Sequence, residues 1–97
     1  MAIIYRKGAR PDQRLIDEIK SNVKRYEEMI AAYVKETEEY QEEFKRGLIL
    51  DSIAFPVCDD ELDEYDFSIG YKEGGGSDMF FEAYFKDGKV QSVSAGD

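Results

Sequence analysis

The sequence predicts an α+β domain in which one long N-terminal helix packs on a four-stranded antiparallel β-sheet meander. Two patterns support this prediction. Apolar residues recur every three or four positions between residues 12 and 46, and mostly at every second position between residues 48 and 95. A chain of 97 residues supports one hydrophobic core, so we treat residues 1–97 as a single domain.

The first half of the chain is typical of a long amphipathic helix. No Gly or Pro interrupts residues 12–46, Pro11 suits a first helical turn and Gly47 suits a left-handed cap. The sequence leaves open whether the helix breaks near Ser21 and Asn22. Residues 2–5 predict either a short edge strand or a tail that docks on the core. The apolar positions of the helix are Leu15, Ile19, Val23, Tyr26, Ile30, Tyr33, Thr37, Tyr40 and Phe44.

The second half predicts four strands, over residues 48–57, 65–72, 79–86 and 89–95. In the first strand we expect Ile49, Ile53 and Phe55 to share one face, although the strand begins apolar on both faces. Asp87 and Gly88 predict a two-residue hairpin turn with positive φ between the last two strands. The short connections favour antiparallel neighbours.

The length of the predicted helix suggests a homodimer. Thirty-five helical residues span about 52 Å, whereas a strand of eight residues spans about 27 Å. The helix would therefore overhang the sheet and expose Leu15, Ile19 and Val23. A second copy of the chain would cover them, so we predict that these three residues lie in a dimer interface.

The composition argues against an enzyme and against a resident cofactor or metal. The chain has no His and one Cys, which excludes a His-based triad, a His-ligated zinc site and an internal disulfide. The triple glycine at 74–76 lies between predicted strands and lacks the helix of a phosphate loop. No apolar run is long enough to span a membrane and no signal peptide is evident, so we expect a cytoplasmic protein.

The charge is strongly asymmetric. The net charge is −9, but residues 1–25 carry seven basic and three acidic residues, whereas residues 26–97 carry six basic and nineteen acidic ones. An acidic surface repels nucleic acid and favours encounter with a basic partner. The alternative is that these acids only keep the protein in solution.

The candidate partner-binding residues are an acidic loop and two aromatic residues. Phe80 and Tyr84 are predicted on the sheet face opposite the core, beside Glu82, where they either bind a protein or lie under a second layer or a partner subunit's helix. The complete set is Asp59, Asp60, Glu61, Asp63, Glu64, Asp66, Phe80 and Tyr84. The acidic loop lacks the glycine of a helix-flanked calcium loop, so we assign it no metal.

Two segments resemble small uncharacterised bacterial domains of the immunity type, found in polymorphic toxin systems. They are LILDSIAF at 48–55, a strand after a long charged helix, and FKDGKVQSVSAGD at 85–97, a DG hairpin leading to a terminal strand. The resemblance covers the second half of the chain. It implies a non-enzymatic protein that neutralises a toxin, such as a nuclease with a basic cleft, by binding it.

The sequence therefore predicts a small acidic protein-binding module, of the immunity or inhibitor type, whose partner is a basic toxin or nucleic-acid enzyme. An inhibitor that mimics nucleic acid, encoded by a phage or plasmid, is one alternative. A structural homodimer built on the long helix is another.

Overall fold

The chain forms one five-stranded mixed sheet covered by helices. A computed structural model describes residues 2–5, 8, 10–38, 40–44, 48–56, 64–73 and 79–96. The elements in chain order are β1 (Ala2–Ile4), α1 (Gln13–Ser21), α2 (Val23–Thr37), α3 (Gln41–Phe44), β2 (Leu48–Ala54), β3 (Phe67–Glu73), β4 (Phe80–Lys86) and β5 (Lys89–Gly96). The strand order is β1-β2-β3-β4-β5. The predicted α+β class and the antiparallel meander β2–β5 are confirmed.

The prediction of a purely antiparallel, four-stranded sheet is wrong because β1 adds a fifth strand, parallel to β2. Ile3 lies opposite Ile53 and packs against the core, and the Phe55 N–H donates to the Ile4 carbonyl at 2.8 Å. Parallel neighbours need a long crossover, and the helical segment between β1 and β2 supplies it. Of the two expectations for residues 2–5, the edge strand is confirmed.

The helix predicted over residues 12–46 is divided, and its first break, at Asn22, falls where the sequence left one open. Its φ of −110° leaves the helical range, and its backbone N–H is shared between the carbonyls of Glu18 and Ile19. The Asn22 side chain donates a further bond to the Glu18 carbonyl at 2.8 Å. Asn favours such local bonds over helix continuation, which explains why the chain turns at this residue.

The second break follows Thr37. Its hydroxyl donates to the Tyr33 carbonyl at 2.8 Å, and Glu38 then adopts a left-handed conformation with φ of 60°. The Glu38 N–H still donates to the Val34 carbonyl, which also accepts the Gln41 side-chain amide at 3.4 Å. Tyr40 also has positive φ, at 56°, before α3 begins.

These breaks remove the overhang from which the dimer was predicted. The 15 residues of α2 span about 22 Å, close to the length of a seven-residue strand, and the chain measures 37 × 28 × 27 Å. The structure places Ile19 in this chain's own core at 1% exposure, leaves Val23 half-buried and exposes Leu15. The homodimer stays a prediction, and of its three interface residues Leu15 is the exposed one.

The core lies between α1, α2 and one face of the sheet. Tyr26 of α2 packs on two aromatic rings of the sheet, with centroid distances of 5.4 Å to Phe67 and 5.1 Å to Phe85. Phe67 and Phe85 are themselves stacked at 4.9 Å with an interplanar angle of 6°. This aromatic trio joins α2 to β3 and β4 and buries Phe85 completely.

A β-bulge in β2 reverses the predicted face of Ile49. The pairing with β3 shifts between Leu50 and Ser52, so Asp51 is the extra residue. Before the bulge Leu48 and Leu50 pack against the core and Ile49 is 60% exposed. After the bulge Ile53 and Phe55 are buried, as predicted. The segment LILDSIAF therefore turns its even-numbered residues to the core before the bulge and its odd-numbered residues to the core after it.

Candidate functional site

The sheet face turned away from the helices, which we call the outer face, is lined by small and polar side chains. Residues of β3 and β4 alternate, so Ile69, Phe81, Ala83 and Phe85 point to the core and their neighbours to the outer face. The outer-face residues of the central rows are Ser52, Ala54, Ser68, Gly70, Glu82, Tyr84, Ser92 and Ser94. Phe80 and Tyr84 therefore lie on the face that the sequence predicted.

Glu82 stands at the centre of the outer face and is held by two hydroxyl groups. Ser68 Oγ donates to Glu82 Oε2 at 2.7 Å, and the Tyr84 hydroxyl donates to Glu82 Oε1 at 2.8 Å. Within the described part of the chain no Lys or Arg nitrogen lies within 4.0 Å of this carboxylate. Glu82 thus presents an oriented negative charge whose remaining lone pairs can accept donors.

A shallow pocket of about 240 Å³ lies beside Glu82, at the end of the outer face near β5. Tyr65 and Tyr84 form one side, with ring centroids 5.0 Å apart and an interplanar angle of 73°. Glu64, Gln91 and Ser92 complete the lining. Two tyrosine rings beside carboxylates attract cations, because the face of an aromatic ring is negative.

The opposite end of the outer face is apolar. Lys72 pairs across the strands with Ile49 on one side and Phe80 on the other. Ile49 is 60% and Phe80 is 44% exposed. Lys72 is itself bridged to the Asp51 carboxylate at 3.2 Å, and because both side chains are well exposed this ion pair contributes little to stability. Phe80 and Tyr84 are four residues apart, about 13 Å along the strand.

The structure brings together part of the predicted partner-binding set. Glu64 and Tyr84 line the same pocket, and Phe80 lies at the far end of the same face. Asp66 has a structural contact, because its Oδ2 accepts the Asp87 N–H at 2.9 Å and braces the β4–β5 hairpin. The other predicted acids, Asp59, Asp60, Glu61 and Asp63, lie outside the described residues.

Sequence reasoning missed two residues of this site. The first is Tyr65, which the pattern predicts only as the first residue of a strand; in the structure β3 begins two residues later and the Tyr65 ring packs on Tyr84. Glu82 was noted only as a neighbour of Phe80 and Tyr84. The signal for Glu82 was present, since a lone acid between outward-facing aromatic residues in a period-2 strand shares their face.

The helix side of the sheet holds a second polar pair. The Tyr71 hydroxyl of β3 donates to Glu27 Oε1 of α2 at 3.4 Å. Burial raises the pKa of the Tyr71 hydroxyl well above its usual range, and the nearby Glu27 charge raises it further. Tyr71 therefore stays a neutral donor, and Glu27 supplies the negative charge of the pair.

The described residues contain no group of three or more acidic, Cys or His side chains placed to hold a metal ion. None of the helices in the described ranges has the length and apolar character to cross a bilayer. Comparison with protein-family models, with curated proteins and with solved structures found no match.

Proposed function

We propose that this chain is a non-enzymatic protein-binding module whose outer face binds a basic protein partner. The observation that carries the proposal is the Tyr65–Tyr84 pocket together with the carboxylate of Glu82, which the Tyr84 hydroxyl anchors and no described Lys or Arg contacts. A Lys or Arg side chain of the partner would lie against the tyrosine rings and donate to the free lone pairs of Glu82. Exposed Phe80 and Ile49 would supply an apolar anchor at the other end.

The size of the outer face sets the expected affinity. Four strands of seven or eight residues and one of three, about 4.8 Å apart, give the sheet a face of roughly 500 Å². Ser52, Ala54, Ser68 and Gly70 on this face are buried, so the accessible part is smaller. Standard interfaces bury about 800 Å² per partner, so contacts confined to this face correspond to a small interface of micromolar affinity. The net charge of −9 would raise the association rate with a basic partner at low salt.

The partner class we favour is a toxin or a nucleic-acid enzyme with a basic cleft, as the resemblance to immunity-type domains implies. In that case the chain blocks the cleft by occupying it. An oriented glutamate flanked by aromatic residues suits such a role because it can replace a bound phosphate in charge and in hydrogen bonding.

The experiment compares captures from a host extract with wild-type and variant baits at low salt. Glu82→Gln and Tyr84→Ala alter the pocket, whereas Glu28→Gln and Tyr40→Ala make the same chemical changes at exposed helix-side positions. We expect a basic protein that wild type and both controls retain, with affinity reduced about tenfold by Glu82→Gln and about thirtyfold by Tyr84→Ala. Equal retention by all five baits, or no retained basic protein, would refute the proposal.

A further inference from the structure

A second pocket, of about 140 Å³, lies on the helix side of the sheet. Glu27 of α2, Phe44 of α3, Leu48 of β2 and Tyr71 of β3 line it. It combines one carboxylate with two aromatic walls and one aliphatic wall. This pocket belongs to the other side of the sheet from Tyr84, so an inference about it does not depend on the proposed function.

Among the described residues, no Lys or Arg side chain pairs with the negative charge in this pocket. Tyr71 is the one described hydrogen-bond partner of Glu27, and the bond is long at 3.4 Å. No Lys or Arg nitrogen among the described residues lies within 4.0 Å of the Glu27 carboxylate. A carboxylate can accept about four hydrogen bonds, so Glu27 has unused capacity for donors.

An apolar cavity of about 300 Å³ adjoins the Glu27 pocket along α2. Ala31, Val34 and Lys35 line it from α2, Gln41 and Phe44 line it from α3, and Phe44 lines both cavities. Glu27 and Ala31 are four residues apart on a helix, so they share one face and the two cavities follow one another. The result is an elongated site with the Glu27 carboxylate at one end and, at the other, a mainly apolar cavity that Lys35 and Gln41 also line.

We propose that this site binds an alkyl cation, a guanidinium or ammonium head group with a hydrocarbon tail. The head group donates to Glu27 and lies against the rings of Phe44 and Tyr71, which attract cations. The tail lies along Ala31 and Val34 and is removed from water. Anions are repelled by Glu27, and a neutral amphiphile lacks the charge that the carboxylate selects.

The first test uses n-hexylguanidinium and its neutral counterpart n-hexylurea, titrated into isotopically labelled protein and followed by amide chemical shifts. We expect a dissociation constant of about 1 mM for the cation, from the usual affinity per ligand atom, and no saturable shift with the urea. Each methylene removed from the tail should weaken binding about fourfold or less. Equal binding of the urea, or no binding of the cation, would overturn the proposal.

Matched variants locate the site. Glu27→Gln removes the charge inside the pocket, whereas Glu28→Gln removes an exposed charge from the next position. Ala31→Gln fills the apolar cavity, whereas Ala32→Gln adds the same side chain at an exposed position that does not line it. We expect at least tenfold weaker binding in the first member of each pair and wild-type binding in the second. Equal effects within either pair contradict the assignment.

A third probe separates the two sources of such a cation. N-acetylarginine methylamide carries the same head group on a peptide backbone. If it binds as tightly as n-hexylguanidinium, the site accepts arginine side chains of proteins. If it binds at least tenfold more weakly while n-hexylguanidinium still binds, the site selects a free alkyl cation. Both results retain the cation chemistry, whereas failure of both probes rejects it.

Discussion

The close approach of Gly70 to Ser52 makes a quantitative prediction about the sheet. A Cβ added at Gly70 would lie 2.6 Å from Ser52 Oγ, well inside van der Waals contact, but 3.9 Å from Ser52 Cβ. Gly70 has no positive φ, so only this contact opposes a side chain there. We therefore expect Gly70→Ala to destabilise the protein by about 1–3 kcal/mol, the usual cost of overpacking a buried site.

Removal of the Ser52 hydroxyl should make the Gly70→Ala substitution stabilising instead of destabilising. Ser52 is 8% exposed and its hydroxyl makes no hydrogen bond to the described residues, so Ser52→Ala alone should be close to neutral. In the Ser52→Ala background Gly70→Ala should stabilise by about 0.5–1 kcal/mol, because alanine loses less backbone entropy than glycine on folding. The coupling energy between the two changes is then about 1.5–4 kcal/mol.

Urea unfolding of the four proteins, followed by circular dichroism, measures this cycle. A destabilisation of 1 kcal/mol corresponds to a shift of about 4–8 °C in the melting temperature of a domain this size, so thermal unfolding gives an independent check. If Gly70→Ala costs the same in both backgrounds, the Ser52 hydroxyl is not the obstacle and the reasoning fails.

Three further predictions concern the helix end, the hairpin and the buried tyrosine. Glu38→Gly should stabilise by about 0.5–1 kcal/mol, since glycine adopts the left-handed cap without strain, as urea unfolding would measure. Asp66→Ala should destabilise by about 1 kcal/mol in the same assay because it removes the acceptor of the Asp87 N–H. Tyr71→Phe should reduce the loss of stability above about pH 10, because the raised pKa keeps Tyr71 protonated in the folded protein while the unfolded chain loses that proton.

Each of these three has its own control. Glu38→Ala keeps the strained backbone and should not stabilise the protein. Equal gains in the free energy of unfolding from Ala and from Gly would contradict the prediction for Glu38. Asp17→Ala removes an acid at an exposed helix position, and an equal loss there contradicts the second. In the wild type, the stability contributed by protonated Tyr71 is fully present below about pH 10 and is lost as the pH rises toward the raised pKa of the folded state. An unchanged alkaline profile in Tyr71→Phe contradicts it.

The sequence predicted the elements whose pattern is local. Strands β3 and β4 alternate cleanly, and Asp87 and Gly88 both have positive φ, as a two-residue hairpin requires. Of the two helix breaks, the one at Asn22 was left open by the sequence, since Asn favours local hydrogen bonds. The break at Glu38 was not predicted, because Glu is a good helix former and nothing in the pattern marks its left-handed conformation.

The position of the outer-face site could be predicted from the sequence, but the hydrogen bonds that orient its carboxylate could not. The period of two in β4 placed Phe80 and Tyr84 on the outer face. It did not show that Ser68 and Tyr84 orient Glu82, because the Ser68 bond joins β3 to β4 and depends on their register, and the Tyr84 bond within β4 depends on side-chain conformation. The Glu27–Tyr71 pair depends on how α2 lies across β3, which no pattern within either segment records.

The parallel strand β1 also implies an order of folding. Ala2 pairs with Ser52, fifty residues later, whereas β4 and β5 are joined by a two-residue turn. Closing the longer loop costs about 3 kcal/mol more in chain entropy, by the logarithmic dependence on loop length. We therefore expect the hairpins to form first and β1 to dock last. Because β1 precedes β2 in the chain, it is synthesised before the strand that it pairs with and has no partner until β2 has been made.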